Sequence, residues 1–86
     1  MDLDDALLQS IARVTGAPVD DIADDTTLDA LGVDSLAAAE LITDLEIRLG
    51  QDLPIDVLRR LGQARTVGDV RDQLRQALSE PPGPLR

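Results

Sequence analysis

The sequence predicts a small all-α protein, a four-helix bundle with three longer helices, one short third helix and a long first loop. Two observations carry that reading. Apolar residues recur at helical spacing in three separate stretches, each bounded by a glycine or a capping residue. The chain of 86 residues contains no Phe, Tyr or Trp, so it has room for one core, built from Leu, Ile, Val and Ala.

The first helix is read from LDDALLQSIARV, in which Leu3, Leu7, Ile11 and Val14 lie four, four and three residues apart and form one face. Asp4 and Asp5 suit the positive end of its dipole. Gly16 and Pro18 end it. Residues 16–34 show no sustained period, and a loop of that length inside a compact domain is usually either functional or a sign of a misassigned element, of which the first is preferred here. Val19, Ile22, Leu28, Leu31 and Val33 are spaced to pin it to the core at intervals. Its acids, Asp20, Asp21, Asp24, Asp25 and Asp29, lack the ligand spacing and central glycine of a calcium loop, so they are read as solvated surface and no metal site is expected.

The second helix runs from Ser35 to Leu49. Steps of about 100° per residue put Ala38, Leu41, Ile42, Leu45 and Leu49 on the core face. The opposite side then carries Leu36, Glu40, Thr43, Asp44 and Ile47, a mixed acidic and apolar patch expected to dock partners. Gly50 ends this helix. Pro54 opens the short third one, in which Ile55, Leu58 and Leu61 are expected to face inward and Gly62 stops the turn. Thr66 caps the last helix, with Asp69 as its capping-box partner, and Val67, Val70, Leu74 and Leu78 form the buried stripe. The folded domain is expected to cover residues 1–79, leaving 80–86 as a disordered tail.

Composition narrows the chemistry. With no His, Cys, Lys or Tyr, the chain holds no Ser-His-Asp triad, thiolate nucleophile or Schiff-base lysine. Catalysis of its own is not expected. No apolar run approaches the roughly 20 residues that span a bilayer, and the acidic start MDLDDALLQS is unlike a signal peptide. The absence of cysteine fits a cytoplasmic chain. The net charge is −9, with nine acids against Arg13 in residues 1–34 and four acids against six arginines in residues 54–86. Such a chain is repelled by nucleic acid and by anionic membranes, and its natural partners carry basic patches. The same acidity also serves solubility.

One short stretch stands out. In LGVDSLAAAEL, Ser35 follows a glycine-containing turn, sits beside Asp34 and opens an alanine-rich helix. Its hydroxyl is either an N-cap or an exposed reactive group beside the unpaired N–H groups of a helix start. The surrounding pattern resembles the carrier-protein family, the acyl carriers of fatty acid and polyketide synthesis and the peptidyl carriers of peptide synthetases. The resemblance rests on Leu28, then Leu31-Gly32, Asp34-Ser35-Leu36 and Glu40-Leu41, then Leu53-Pro54 and the run from Thr66 to Asp69. It extends from about Leu3 to Leu78.

That resemblance implies a mechanism. A phosphopantetheinyl transferase uses the Ser35 hydroxyl to attack coenzyme A and leaves 4′-phosphopantetheine on it, and the thiol of that group carries acyl intermediates as thioesters. Asp34 would assist the transferase or simply cap the helix. Helix two would dock the transferase and a ketosynthase, acyltransferase or acyl-activating enzyme, with the carrier acting as a monomer. Gly32-Val33-Asp34-Ser35 lacks the second glycine usual in peptidyl carriers and so favours the acyl branch. The eight basic residues are all arginine, which together with plentiful Ala and Gly suggests a GC-rich bacterial genome and a free-standing carrier of specialised metabolism. A fatty acid carrier, an excised megasynthase domain, a peptidyl carrier and an unmodified acidic helical adaptor stay open as alternatives.

Overall fold

Helix α1 spans Leu3–Thr15, α2 Ser35–Leu49, α3 Ile55–Leu61 and α4 Val67–Ser79. These come from a computed structural model that describes residues 2–79. The expected tail, 80–86, lies outside the described residues. Within the first loop one short 3-10 turn covers Val19–Asp21, and the sole β-type pairing among the described residues is an isolated bridge between Thr27 and Thr66. The all-α bundle and its long first loop are as the sequence predicts.

Local chemistry sets the helix ends. Asp2 caps α1 by accepting the Asp5 N–H at 2.8 Å. Left-handed Gly16 and Gly50 close α1 and α2. At α4 the capping box forms in both directions: Thr66 Oγ1 accepts the Asp69 N–H at 3.1 Å, and the Asp69 carboxylate accepts the Thr66 N–H at 3.2 Å.

The core is aliphatic. Leu7 and Ile11 of α1, Leu41 and Leu45 of α2, Val57 and Leu61 of α3, and Val67, Val70 and Leu74 of α4 are all buried. Truncating one of these leucines to alanine costs about 2–5 kcal/mol, a large share of what a small domain has in reserve. Ala38, Ile42 and Leu49 are half-buried at the margin of that core.

The long loop is fastened to α4. Ile22 and Leu28 are buried anchors. Leu28 N–H donates to the Arg65 carbonyl at 2.9 Å, Val67 N–H to Thr26 at 2.9 Å, and Gly68 N–H to Asp24 at 2.8 Å. A side chain at Gly68 would stand 3.1 Å from the Asp24 carbonyl oxygen, so glycine lets the loop approach this closely. The Arg71 guanidinium then pairs with the Asp24 carboxylate at 2.6 Å.

Two sequence expectations are corrected. In α3 the inward pair is Val57 and Leu61, four residues apart, while Ile55 and Leu58 are exposed. A helix of seven residues turns only one narrow stripe inward, and packing against α2 and α4 selects Val57 over its neighbours. Asp44, expected on the open docking side, is buried. Its position is about 60° around the helix from Leu41, at the flank of the core face where α1 packs.

Candidate phosphopantetheine attachment site

Ser35 is the first residue of α2, and it is exposed. The chain reaches it through a tight turn. Gly32 takes a φ of 75°, a left-handed conformation that costs other residues far more. Its N–H donates to Asp29 at 3.0 Å, and the Val33 N–H donates to Leu28 at 2.9 Å. Asp34 is then extended, with its carboxylate accepting the Ala37 N–H at 2.8 Å and its carbonyl accepting the Ala38 N–H at 2.8 Å.

This settles which of the two side chains caps the helix. Asp34 does, and the Ser35 hydroxyl makes no hydrogen bond to any described residue. The backbone N–H groups at the start of α2 also point outward, where the helix dipole favours an anion. No histidine exists anywhere in the chain to deprotonate the hydroxyl, and the Asp34 carboxylate is engaged in the cap. The Ser35 hydroxyl thus has no base of its own chain hydrogen-bonded to it among the described residues.

A groove of about 660 Å³ opens beside this hydroxyl. Thr27, Asp29, Asp34 and Ser35 form one rim, and Gly62, Ala64 and Arg65 from the α3–α4 connection form the other. Leu28, Leu41, Leu61 and Val70 give it an apolar floor. Sequence reasoning missed the second rim, because residues 62–65 carry no motif and meet Ser35 only through the fold.

On the outer side of α2, Leu36 is 69% exposed and Ile47 75% exposed, with Glu40 and Thr43 exposed between them. Neither the first loop nor α3 covers either apolar side chain. A hollow of about 420 Å³ runs along this side between Arg13 and the stretch from Ala39 to Ile47.

Asp44 lies at the inner edge of that hollow. Arg13 Nη1 donates to one carboxylate oxygen at 3.0 Å and Arg48 Nε to the other at 2.6 Å. Burial pushes the Asp44 carboxyl up, but Arg48, Ser10 and Arg13 outweigh it and hold the carboxyl below its ordinary range. The buried Ser10 hydroxyl stands beside it without a hydrogen bond of standard geometry. Asp44 thus ties α1 to α2, and its charge is spent on two arginines of its own chain. Among the described residues, no group of three or more metal-ligating side chains gathers anywhere. No helix among them is long and apolar enough to cross a membrane.

Comparison with known proteins agrees with this geometry. The chain is 39% identical over 79 residues to the non-reducing polyketide synthase hmp3 of Hypomyces subiculosus, covering 88% of the chain and 4% of that relative. It is 38% identical over 67 residues to the non-reducing polyketide synthase curS2 of Aspergillus terreus, covering 78% of the chain and 3% of the relative. It is 40% identical over 72 residues to an orsellinic acid synthase of Beauveria bassiana, covering 84% of the chain and 3% of the relative. The chain thus spans only a few hundredths of the length of these curated relatives. A family model described as the phosphopantetheine attachment site matches residues 5–79, from early α1 to the end of α4. Since that match takes in all four helices and the Ser35 turn, the chain belongs to the phosphopantetheine-attachment family, whose members hold 4′-phosphopantetheine covalently.

Proposed function

We propose that the chain is an acyl carrier of polyketide assembly and that Ser35 is the residue that takes 4′-phosphopantetheine. The observation that carries this is the exposed Ser35 hydroxyl, unused by the helix cap that Asp34 supplies. The surroundings fit the group. A phosphodiester on Ser35 Oγ would meet the positive end of the α2 dipole and the outward N–H groups of its first turn. The apolar-floored groove beside it gives the attached chain somewhere to lie. When bound, the group supplies a thiol that holds acyl chains as thioesters, on a tether that raises their concentration at each partner's active site.

The protein's own residues then do three things. Asp34 fixes the start of α2 and so holds the hydroxyl outward. Gly32 and the Leu28 anchor set the turn that presents it. Leu36, Glu40, Thr43 and Ile47 offer the docking side for a phosphopantetheinyl transferase and for a ketosynthase, acyltransferase or acyl-activating enzyme with basic patches. With no general base beside the hydroxyl, the chain contributes no catalysis of its own, and it works as a cytoplasmic monomer. Its net charge of −9 disfavours nucleic acid and anionic membranes as partners. The polyketide assignment rests on what the relatives are, since two of the three reported are non-reducing polyketide synthases.

Mass spectrometry after incubation with coenzyme A, magnesium and a broad-specificity transferase tests the reading. Ser35 should gain about 340 Da, and Ser35→Ala should abolish the gain. An adduct on Ser10 or Ser79, or none at all, would defeat the assignment.

A further inference from the structure

The groove beside Ser35 carries one cation, and no ion pair holds it among the described residues. Of the residues that line the groove, Asp29 and Asp34 are acidic and Arg65 alone is basic. The other arginines among the described residues are engaged within the chain: Arg13 and Arg48 with Asp44, Arg59 and Arg60 with Asp56, Arg71 with Asp24 and Arg75 with Asp4. Arg65 is exposed and joins no carboxylate in this way. The acid whose charge it feels, Asp69, turns its carboxylate to the backbone N–H groups of Arg65 and Thr66 instead.

The main chain holds Arg65 in register with the Ser35 turn. Its N–H donates to Asp69 at 3.1 Å, and its carbonyl accepts the Leu28 N–H at 2.9 Å. The Leu28 carbonyl in turn accepts the Val33 N–H at 2.9 Å, just ahead of Asp34 and Ser35. The bridge between Thr27 and Thr66 fixes the neighbouring residues alongside. Backbone hydrogen bonds therefore link the rim that carries Arg65 to the turn that presents the hydroxyl, and the fold sets the spacing between them.

Charge gives that juxtaposition a use. A phosphodiester on Ser35 Oγ would add a negative charge to a chain already at −9, on the rim that also holds Asp29 and Asp34. Like charges gathered at one rim repel one another. A guanidinium presents a planar fork of donors that matches phosphate oxygens two at a time. Arg65 is the groove-lining side chain able to offset the added charge.

We propose that Arg65 is a positioning residue for the attached arm: its guanidinium pairs with the phosphodiester on Ser35 and draws the root of the arm across the mouth of the groove, toward the α3–α4 connection. The proposal rests on the carrier reading above. It gives the modified chain an ion pair between the start of α2 and the α3–α4 connection that the unmodified chain lacks. A pair at so exposed a site is weak enough for a partner's own cation to replace Arg65, which frees the arm when an enzyme docks.

A double-mutant cycle on the full chain tests this, with modification of Ser35 by a broad-specificity transferase as one change and Arg65→Gln as the other. At low salt, modification should shift the melting temperature about 2–4 °C less favourably in Arg65→Gln than in the parent, and the difference should shrink at moderate salt. Because the cycle compares differences, any change in the unmodified variant's own stability cancels. The phosphorus NMR resonance of the modified parent should also move on Arg65→Gln. Arg65→Lys should keep part of both effects, since it retains the charge without the fork. Arg59→Gln removes the same charge from an exposed position outside the groove and should leave both readouts at the parent's values. A coupling below about 0.5 °C with an unmoved phosphorus resonance, in a chain that is modified normally, overturns the Arg65 proposal alone. An equal coupling from Arg59→Gln also overturns it, by assigning the effect to net charge. Failure of Ser35 to take any adduct overturns this proposal and the carrier reading together.

Discussion

The Asp34 carboxylate accepts the Ala37 N–H at 2.8 Å, and the adjacent Ser35 hydroxyl is left without a hydrogen-bond partner among the described residues. Under the proposed assignment of Ser35, structural and chemical duties at the tip of α2 fall on different side chains, and substitution can separate them. Ser35→Ala should leave thermal stability almost unchanged while abolishing modification. Asp34→Ala should lose the cap, at about 1 kcal/mol. Asp34→Asn keeps the capping oxygen and removes the charge. A slowed modification rate in a stable Asp34→Asn variant would show that the transferase reads the carboxylate itself. Equal destabilisation by Ser35→Ala and Asp34→Ala would mean that the serine shares the cap.

Asp44 makes the fold acid-sensitive. Its carboxyl is held below the ordinary value of 3.8 because Arg48, Ser10 and Arg13 outweigh the burial that pushes it up. A depressed folded pKa means that the unfolded chain binds the proton first. The stabilisation is therefore complete above the ordinary carboxylate range and is lost as pH falls through the lower folded value. Asp44→Asn should cost about 1–3 kcal/mol at neutral pH and should flatten the decline of melting temperature below about pH 5. A variant curve parallel to the parent's down to pH 3 would place the acid sensitivity on other carboxylates.

How much of this was legible in the sequence depends on how local the cause is. The start of α2 at Ser35, its end before Gly50 and the reciprocal cap of Thr66 and Asp69 were readable, because each follows from a few adjacent residues. The inward side of α3 was not. Ile55, Val57, Leu58 and Leu61 are all apolar, and only the positions of α2 and α4 decide that Val57 and Leu61 are covered. Asp44 failed for a related reason: α1 approaches α2 over the flank, and Arg13 meets it from 31 positions away in sequence. The Ser35 turn was visible as a motif, while the far rim of its groove, Gly62 to Arg65, enters only by folding.

Net charge should govern the response to salt. A chain at −9 repels itself, and an aliphatic core this small has little stability in reserve. Raising monovalent salt from low to moderate concentration should lift the melting temperature by about 2–5 °C. The exposed pairs Arg75–Asp4 and Arg71–Asp24 are weakened by the same screening, and such surface pairs are worth too little to reverse the sign. Magnesium at matched ionic strength should do no more than monovalent salt, since no group of three or more metal-ligating side chains gathers among the described residues. A fall in melting temperature with salt would show that the ion pairs outweigh the repulsion.

The proposed docking side of α2 is narrower than periodicity alone suggested. Leu36, Glu40, Thr43 and Ile47 are open to solvent, while Asp44 is enclosed and neutralised, so Glu40 is the acid that a partner meets directly. Glu40→Arg should slow association with the transferase by about five- to tenfold at low salt and by less at moderate salt, because its contribution is steering. Leu36→Ala should weaken the complex chiefly through faster dissociation, with little salt dependence and no loss of melting temperature, because an exposed side chain supports no core. Asp44→Arg would be a poor probe of docking, since it places a third positive charge beside Arg13 and Arg48 and unfolds the α1–α2 contact. Asp72→Arg, on an exposed position of α4, carries the same charge change as Glu40→Arg and should leave association within about twofold. If Asp72→Arg slows association as much as Glu40→Arg does, overall charge steers the encounter and α2 holds no privileged face.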